Sequence, residues 1–227
     1  MLRLIENIKS MDKVNYTQNQ DISNSLTHLL GLPITLIIFF YSFTIHKNGM
    51  ISMPIYIGML IFSITAFIVY GISFLYHYID YESKLKAVFR LIDHCTIYLL
   101  IAGTYTPICI FLIEQSHNIG YVILLLEWAL AILGIILNAL FLSKKIVKII
   151  GVISYVIMGW LILFTGGFIY MPLISFYLVL AGGISYTIGS VLYALGRKTN
   201  LWFHTIFHCF IVVGTIIQAL GIIMMIS

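Results

Sequence analysis

The sequence contains very little charge. Only 9% of its 227 residues are Asp, Glu, Lys or Arg, whereas 61% are hydrophobic. Because soluble globular proteins carry about a quarter charged residues, this composition excludes an ordinary soluble enzyme or binding domain. The long apolar runs instead predict an all-α protein built from membrane-spanning helices.

Cysteine is also scarce, and its pattern does not indicate disulfides. The three cysteines, Cys95, Cys109 and Cys209, all lie in apolar segments. An odd number without framework spacing predicts no structural disulfide. The first 20 residues lack a continuous apolar core and a small-residue cleavage site, so we expect no removable signal peptide.

Seven apolar stretches are long enough to cross a bilayer, which requires about 20 helical residues. They cover residues 24–45, 54–77, 89–113, 120–142, 147–166, 172–195 and 202–225. Charged or turn-forming residues separate most of them, but the break near Gly166 and Pro172 is mostly apolar. We therefore predict a seven-helix transmembrane bundle at 24–227, preceded by a short cytoplasmic segment at 1–23.

The basic residues are distributed unevenly between the two sides of this predicted bundle. All but one of the 12 Lys and Arg residues fall in the N-terminal segment or around the loops after spans two, four and six, and Lys47 falls on the opposite side. Because Lys and Arg favour the cytoplasmic side, we predict a cytoplasmic N-terminus, an outside C-terminus and a plasma-membrane location. This topology accounts for the net charge of +4, and we expect no nucleic-acid partner.

Five polar residues fall at one level of the predicted bundle, in its cytoplasmic half. They are His28 in span one, His77 at the end of span two, Asp93 near the start of span three, and His204 and His208 near the start of span seven. His204 and His208 are i and i+4, so their side chains are neighbours on one helix face. Residues so distant in sequence would not be expected to share one layer by accident.

The spacing of His204 and His208 allows two imidazoles to bind one metal ion. With His77 they would supply three ligands, which together with a water make the shell of a catalytic zinc ion. Asp93 could hold or deprotonate that water, and Ser73, one helical turn before His77, could hydrogen-bond a ligand or the water. We therefore predict a zinc site with three histidine ligands and with Asp93 and Ser73 as catalytic residues.

Other interpretations of these residues stay open. A single membrane histidine is often only an interhelical hydrogen-bonding residue, and we expect His28 to support the site or to be structural. His94 adjoins Asp93 but points about 100° away on a helix. We favour Asp93, because a carboxylate near hydrocarbon most needs a partner. Glu127 and Gln218 receive no assigned role.

The sequence resembles the hemolysin III family, which belongs with the progestin and adipoQ receptors and, more remotely, the alkaline ceramidases. The resemblance covers residues 24–225 and rests on these motifs in this order: NSLTHLLG, SFLYH, LIDHCTIYLLIAGTYTPI, SYVIMGWLIL, GGISYTIGSVLYALGR and HTIFHCF. It implies a seven-helix bundle with zinc near the cytoplasmic face. The family's Ser-x-x-x-His, Asp and His-x-x-x-His positions fall on Ser73, His77, Asp93, His204 and His208.

The same resemblance implies hydrolysis of a lipid-like amide or ester, with membrane lipids and a lipid-like substrate or ligand as partners. Two other functions stay open: a non-enzymatic sensor or regulator of lipid homeostasis with structural zinc, and a cytolytic membrane protein. Haem between histidines of facing helices is a further alternative, and imidazoles also suit copper, iron and nickel. The oligomeric state does not follow from the sequence.

Overall fold

The structure, a computed structural model, describes residues 2–11, 14–80, 82–196 and 199–226, with only the backbone of Lys84. The regular elements in these ranges are all helical, which confirms the predicted all-α class. The α-helices are α1 (Leu2–Ser10), α2 (Gln18–Leu29), α3 (Gly31–Lys47), α4 (Met53–Tyr78), α5 (Lys84–Glu114), α6 (Ile119–Phe141), α7 (Lys145–Gly159), α8 (Leu161–Phe164), α9 (Leu173–Gly196) and α10 (Trp202–Ile226). A 3-10 helix at Gly167–Tyr170 lies between α8 and α9.

Six helical segments within the described ranges are long and apolar enough to cross a membrane. They are Gln18–Lys47, Met53–Tyr78, Leu85–Glu114, Ile119–Phe141, Leu173–Gly196 and Trp202–Ile226. The stretch predicted as the fifth span, 147–166, is divided between two helices. It breaks at Trp160, whose φ of −106° and ψ of 5° depart from helical values. The number of spans therefore stays a prediction.

The orientation of the termini also stays a prediction. It depends partly on the charges of Lys13, Arg197 and Lys198, which lie outside the described residues. Lys144 and Lys145 are exposed at the junction between α6 and α7.

The first long helical segment begins at Gln18, six residues before the predicted apolar span. A capping box sets this start: the Gln20 backbone N–H donates to Thr17 Oγ1 at 3.3 Å, and the Thr17 N–H donates to Gln20 Oε1 at 2.9 Å. The added residues 18–23 are mostly polar, and α2 as a whole buries Gln20, Asn24 and His28 against the bundle. Helix α2 thus directs polar side chains inward.

Close contact between α9 and α10 positions the seventh predicted span. A Cβ at Gly182 would lie 2.9 Å from the carbonyl oxygen of Gly214, and one at Gly214 would lie 3.1 Å from the carbonyl oxygen of Gly182. Only glycine allows the two backbones to approach so closely. Helix α10 also packs on α2, and α2 packs on α4, so the ends of these helices meet at one end of the bundle.

Candidate metal centre

Three histidines converge where α4 ends and α10 begins. His77 lies in the last turn of α4, whereas His204 and His208 lie in the first two turns of α10. The Asn200 side chain accepts a hydrogen bond from the Trp202 backbone N–H at 3.0 Å, which fixes the start of α10. All three histidines are buried, and one ligand atom from each lies within 4.8 Å of the others.

The spacing of the ring nitrogens fits a shared metal ion. Nε2 of His77 and Nε2 of His204 are 3.1 Å apart. Two nitrogens bound tetrahedrally to one zinc ion at ~2.0–2.1 Å would be separated by roughly 3.3 Å. Two buried imidazoles at this distance require either a bridging proton or a bridging cation. The presence of His208 as a third donor favours a cation, because three imidazoles form the ligand set of several catalytic zinc ions.

The outer nitrogens of two of these rings have hydrogen-bond partners on α2. Nδ1 of His77 lies 2.9 Å from Oδ1 of Asp21, and Nδ1 of His208 lies 3.2 Å from the backbone oxygen of Asn24. Each Nδ1–H therefore donates outward, which leaves the Nε2 lone pair available for a metal. The buried Nδ1 of His204 has no hydrogen-bond partner among the described residues, and the Tyr16 ring stacks on this imidazole with centroids 5.4 Å apart.

Ser73 and Asp93 lie together next to the histidine cluster. Ser73, one turn before His77, is almost fully buried and hydrogen-bonds the Asp93 carboxylate. Arg90, one turn before Asp93, interacts electrostatically with the same carboxylate. Among the described residues, the group of closely spaced ligand atoms comprises the three histidines without Asp93. Asp93 does, however, line the same cavity as His204.

His28 is adjacent to the cluster but does not join it. Its ring contacts His208 edge to face, with centroids 3.9 Å apart, and it also packs on Tyr70. Both ring nitrogens are buried and have no hydrogen-bond partner among the described residues. The described contacts of His28 with the cluster are thus packing contacts with the His208 ring.

The remaining polar residues singled out from the sequence lie in different surroundings. The His94 carbonyl accepts hydrogen bonds from Asn138 and from Tyr155. Glu127 is fully buried, and neither carboxylate oxygen has a partner among the described residues. Gln218 donates a long hydrogen bond of 3.5 Å to Val179 and is buried. None of the three belongs to the histidine cluster.

Sequence reasoning missed the contribution of α2 and of Lys86. Asp21 and Asn24 supply the partners of two histidines, and Lys86 Nζ lies 2.7 Å from Oδ2 of Asp21. A signal was available, since Asp21, Asn24 and His28 are spaced i, i+3 and i+7 and so share a helix face. The search for apolar spans did not detect this polar face, because the stretch that carries it is not apolar.

A large cavity opens beside the cluster, among α5, α6, α7, α9 and α10. Its volume is about 620 Å³, within the usual range for ligand pockets, and its wall is mostly apolar. Asp93 and His204 line one part of it, and Gln218 lines another. His204 and Gln218 are 14 residues apart, which corresponds to roughly 21 Å along a helix. The residues that line the cavity therefore extend along much of α10.

Comparison with known proteins agrees with this architecture. A family model described as Haemolysin-III related matches residues 16–219. Hemolysin-3 of Bacillus cereus is 33% identical over 213 residues, which cover 91% of this chain and 92% of that protein. The Hemolysin-3 homolog of Bacillus subtilis (strain 168) is 31% identical over 205 residues, which cover 88% and 91% of the two chains. The chain is thus an integral membrane protein that belongs to the haemolysin-III-related family.

Proposed function

We propose that this protein is a zinc-dependent hydrolase of a lipid-like amide or ester within the membrane. The observation that carries the proposal is the buried cluster of three histidines beside a mostly apolar cavity that His204 and Asp93 both line. A structural zinc site has four protein ligands, whereas a catalytic site keeps one position open. The described residues bring three histidines and no fourth ligand together, which corresponds to the catalytic pattern.

Each polar residue has a role in this proposal. His77, His204 and His208 hold the zinc ion, which when bound lowers the pKa of a coordinated water and polarises a carbonyl. The Asp93 carboxylate orients the attacking water and accepts its proton. Ser73 hydrogen-bonds Asp93 and so fixes the direction of that carboxylate.

The cavity supplies the substrate class. Its mostly apolar wall would take up a hydrocarbon chain by the hydrophobic effect, while Asp93 and His204 meet the polar linkage at its end. The lining residues His204 and Gln218 are separated by roughly 21 Å along α10, which is more than half of a ~30 Å hydrocarbon core. An acyl chain could therefore enter from one leaflet, and membrane lipids are the proposed partners.

The proposed topology has seven spans, with the N-terminus and the metal centre on the cytoplasmic side of the plasma membrane. Helices α7 and α8 together cover about 20 residues, or roughly 30 Å, which suffices for the remaining span. The distribution of Lys and Arg supports the orientation. A membrane-impermeant thiol reagent applied to cells should label Lys47→Cys and leave Lys144→Cys unlabelled. Labelling of Lys144→Cys but not of Lys47→Cys would show that the orientation is the opposite of the one proposed.

The metal and the reaction can be tested together. Purified protein in lipid should contain about one zinc ion per chain by elemental analysis and hydrolyse a long-chain acyl amide or ester. His208→Ala should lose both, because two imidazoles hold zinc much less tightly than three. His117→Ala is the matched control, since His117 is partly exposed and stacks on Tyr170. Equal zinc content and turnover in His208→Ala would refute the assignment.

A sensor with structural zinc is the second candidate, because the three ligands connect α4 to α10 and their partners connect both to α2. In that case zinc removal would lower the melting temperature of a protein that turns over no lipid. The two relatives carry hemolysin names, which favour membrane lysis as a third candidate. Leakage from liposomes that contain purified protein would identify it.

A further inference from the structure

We propose that α2 is part of the metal centre, and that Asp21, held by Lys86, is the residue that positions His77 for metal binding. This inference rests on the proposed zinc site and concerns the residues around it. It assigns a specific role to a polar helix whose sequence does not suit the interior of a membrane.

The geometry selects one hydrogen-bonding arrangement for His77. Its Nδ1 is 2.9 Å from the Asp21 carboxylate and 3.5 Å from the Asn24 side-chain nitrogen. A carboxylate only accepts hydrogen bonds when ionised, so the shorter contact requires a proton on Nδ1. The side-chain oxygen of Asn24 accepts from Thr205 at 2.5 Å, which orients the amide independently. His77 consequently presents the unprotonated Nε2 to His204 and to the proposed ion.

Lys86 holds the Asp21 carboxylate in place from the opposite side. Its Nζ donates to Oδ2 of Asp21 at 2.7 Å and to the backbone oxygen of Ile79 at 3.0 Å. Ile79 follows the last residue of α4, the helix that carries His77. Lys86 thus fixes the carboxylate relative to the end of α4, and its charge balances the carboxylate in a largely buried position.

The second anchor from α2 acts on His208. The Asn24 carbonyl lies 3.2 Å from Nδ1 of His208, and Thr27 donates to the same carbonyl at 2.8 Å. The Asn24 carbonyl can reach Nδ1 of His208 only when α2 is packed against α10. Helix α2 therefore determines which ring nitrogen carries the proton in two ligands, His77 of α4 and His208 of α10.

Partners of this kind typically change metal affinity by about 10–100-fold when they are removed. A carboxylate both fixes the orientation of the imidazole and increases its basicity. We therefore expect Asp21→Ala to weaken zinc binding by about 10–100-fold. Asp21→Glu, which keeps an acceptor and its charge, should recover most of this loss, and Lys86→Met should lie between Asp21→Ala and the wild type.

The decisive experiment is a zinc titration of purified, monodisperse protein in detergent, without any lipid substrate. It is paired with the visible absorption spectrum of the cobalt-substituted protein, which reports the ligand field. The matched control is Asp80→Ala, because Asp80 lies beyond the end of α4 and is exposed, and its carboxylate accepts from the Glu82 backbone N–H rather than from a histidine. Its affinity and spectrum should equal those of the wild type.

The outcomes separate this inference from the proposed function. Weaker zinc binding and a shifted cobalt spectrum in Asp21→Ala, with recovery in Asp21→Glu, would support it. Wild-type affinity and spectrum in Asp21→Ala would overturn it while leaving the zinc site intact. A wild-type protein that binds neither zinc nor cobalt would remove the metal site itself. If Asp21→Ala is not monodisperse, Asp21→Asn, which preserves shape but not charge, decides the same question.

Discussion

A hydrogen-bond node two helical turns below the histidines provides the sharpest test of the packing. Thr215 in α10 donates to the Ile211 carbonyl at 3.0 Å and accepts from the phenols of Tyr70 in α4 at 2.6 Å and Tyr186 in α9 at 2.8 Å. Thr215 and Tyr70 are fully buried. The node therefore ties together α4, α9 and α10, two of which carry the histidines.

Thr215→Val keeps the shape of the side chain but leaves both phenols without this acceptor. Hydrogen bonds between membrane helices contribute about 0.6 kcal/mol on average and up to ~1.7 kcal/mol. Loss of two of them should lower the free energy of unfolding by about 1–3 kcal/mol. The zinc content should not change, because the variant leaves all three histidines and their partners in place.

Reversible unfolding in mixed micelles, followed by circular dichroism, measures this difference. Ser175→Ala is the matched control, since its hydroxyl is buried without a hydrogen-bond partner among the described residues. The triple variant Thr215→Val, Tyr70→Phe, Tyr186→Phe removes the stranded phenol groups and should regain much of the lost stability. A Thr215→Val protein as stable as the wild type, or a triple variant less stable than the single one, would refute this reasoning.

Two further predictions concern turnover. The Asp93→Asn variant should keep its zinc, because Asp93 is not part of the histidine cluster. Its rate of hydrolysis should fall by about 100-fold or more. If elemental analysis shows that the variant has lost zinc, Asp93 is a metal ligand instead. Gly183 lines the cavity, and a Cβ there meets no atom within 4 Å, so the leucine side chain of Gly183→Leu would occupy cavity space. Hydrolysis of substrates with long acyl chains should fall by about tenfold, whereas hydrolysis of substrates with short chains should not change. Gly71→Leu is its control, because Gly71 has similar space but does not line the cavity, and equal chain-length profiles would contradict the proposal.

The start of the first span shows where sequence reasoning was limited. The apolar run predicts a span from residue 24, but the helix begins at Gln18 behind the capping box of Thr17 and Gln20. The capping signal is local and was available in the sequence. A search for apolar runs could not find this earlier start, because the residues that α2 buries are polar and pack on other polar side chains.

The fifth predicted span shows a different limit. Its composition is apolar from 147 to 166, yet the helix is interrupted at Trp160. The Trp160 indole donates to Thr187 of α9 at 3.0 Å, and the Tyr105 phenol donates to the Gly159 carbonyl at 2.9 Å. Contacts with neighbouring helices thus accompany the break. Such contacts join residues that are distant in sequence, and no local pattern predicts them.

The sequence by itself determined that the chain is helical and membrane-embedded, because these properties follow from composition and from the length of its apolar runs. It also determined that His204 and His208 share one helix face, because that follows from helical periodicity alone. Only the tertiary structure decided that His77 meets them, that Asp21 and Asn24 face their outer nitrogens, and that a long cavity opens beside them. These relations join helices across separations such as the 56 residues between Asp21 and His77, and they depend on how whole helices pack.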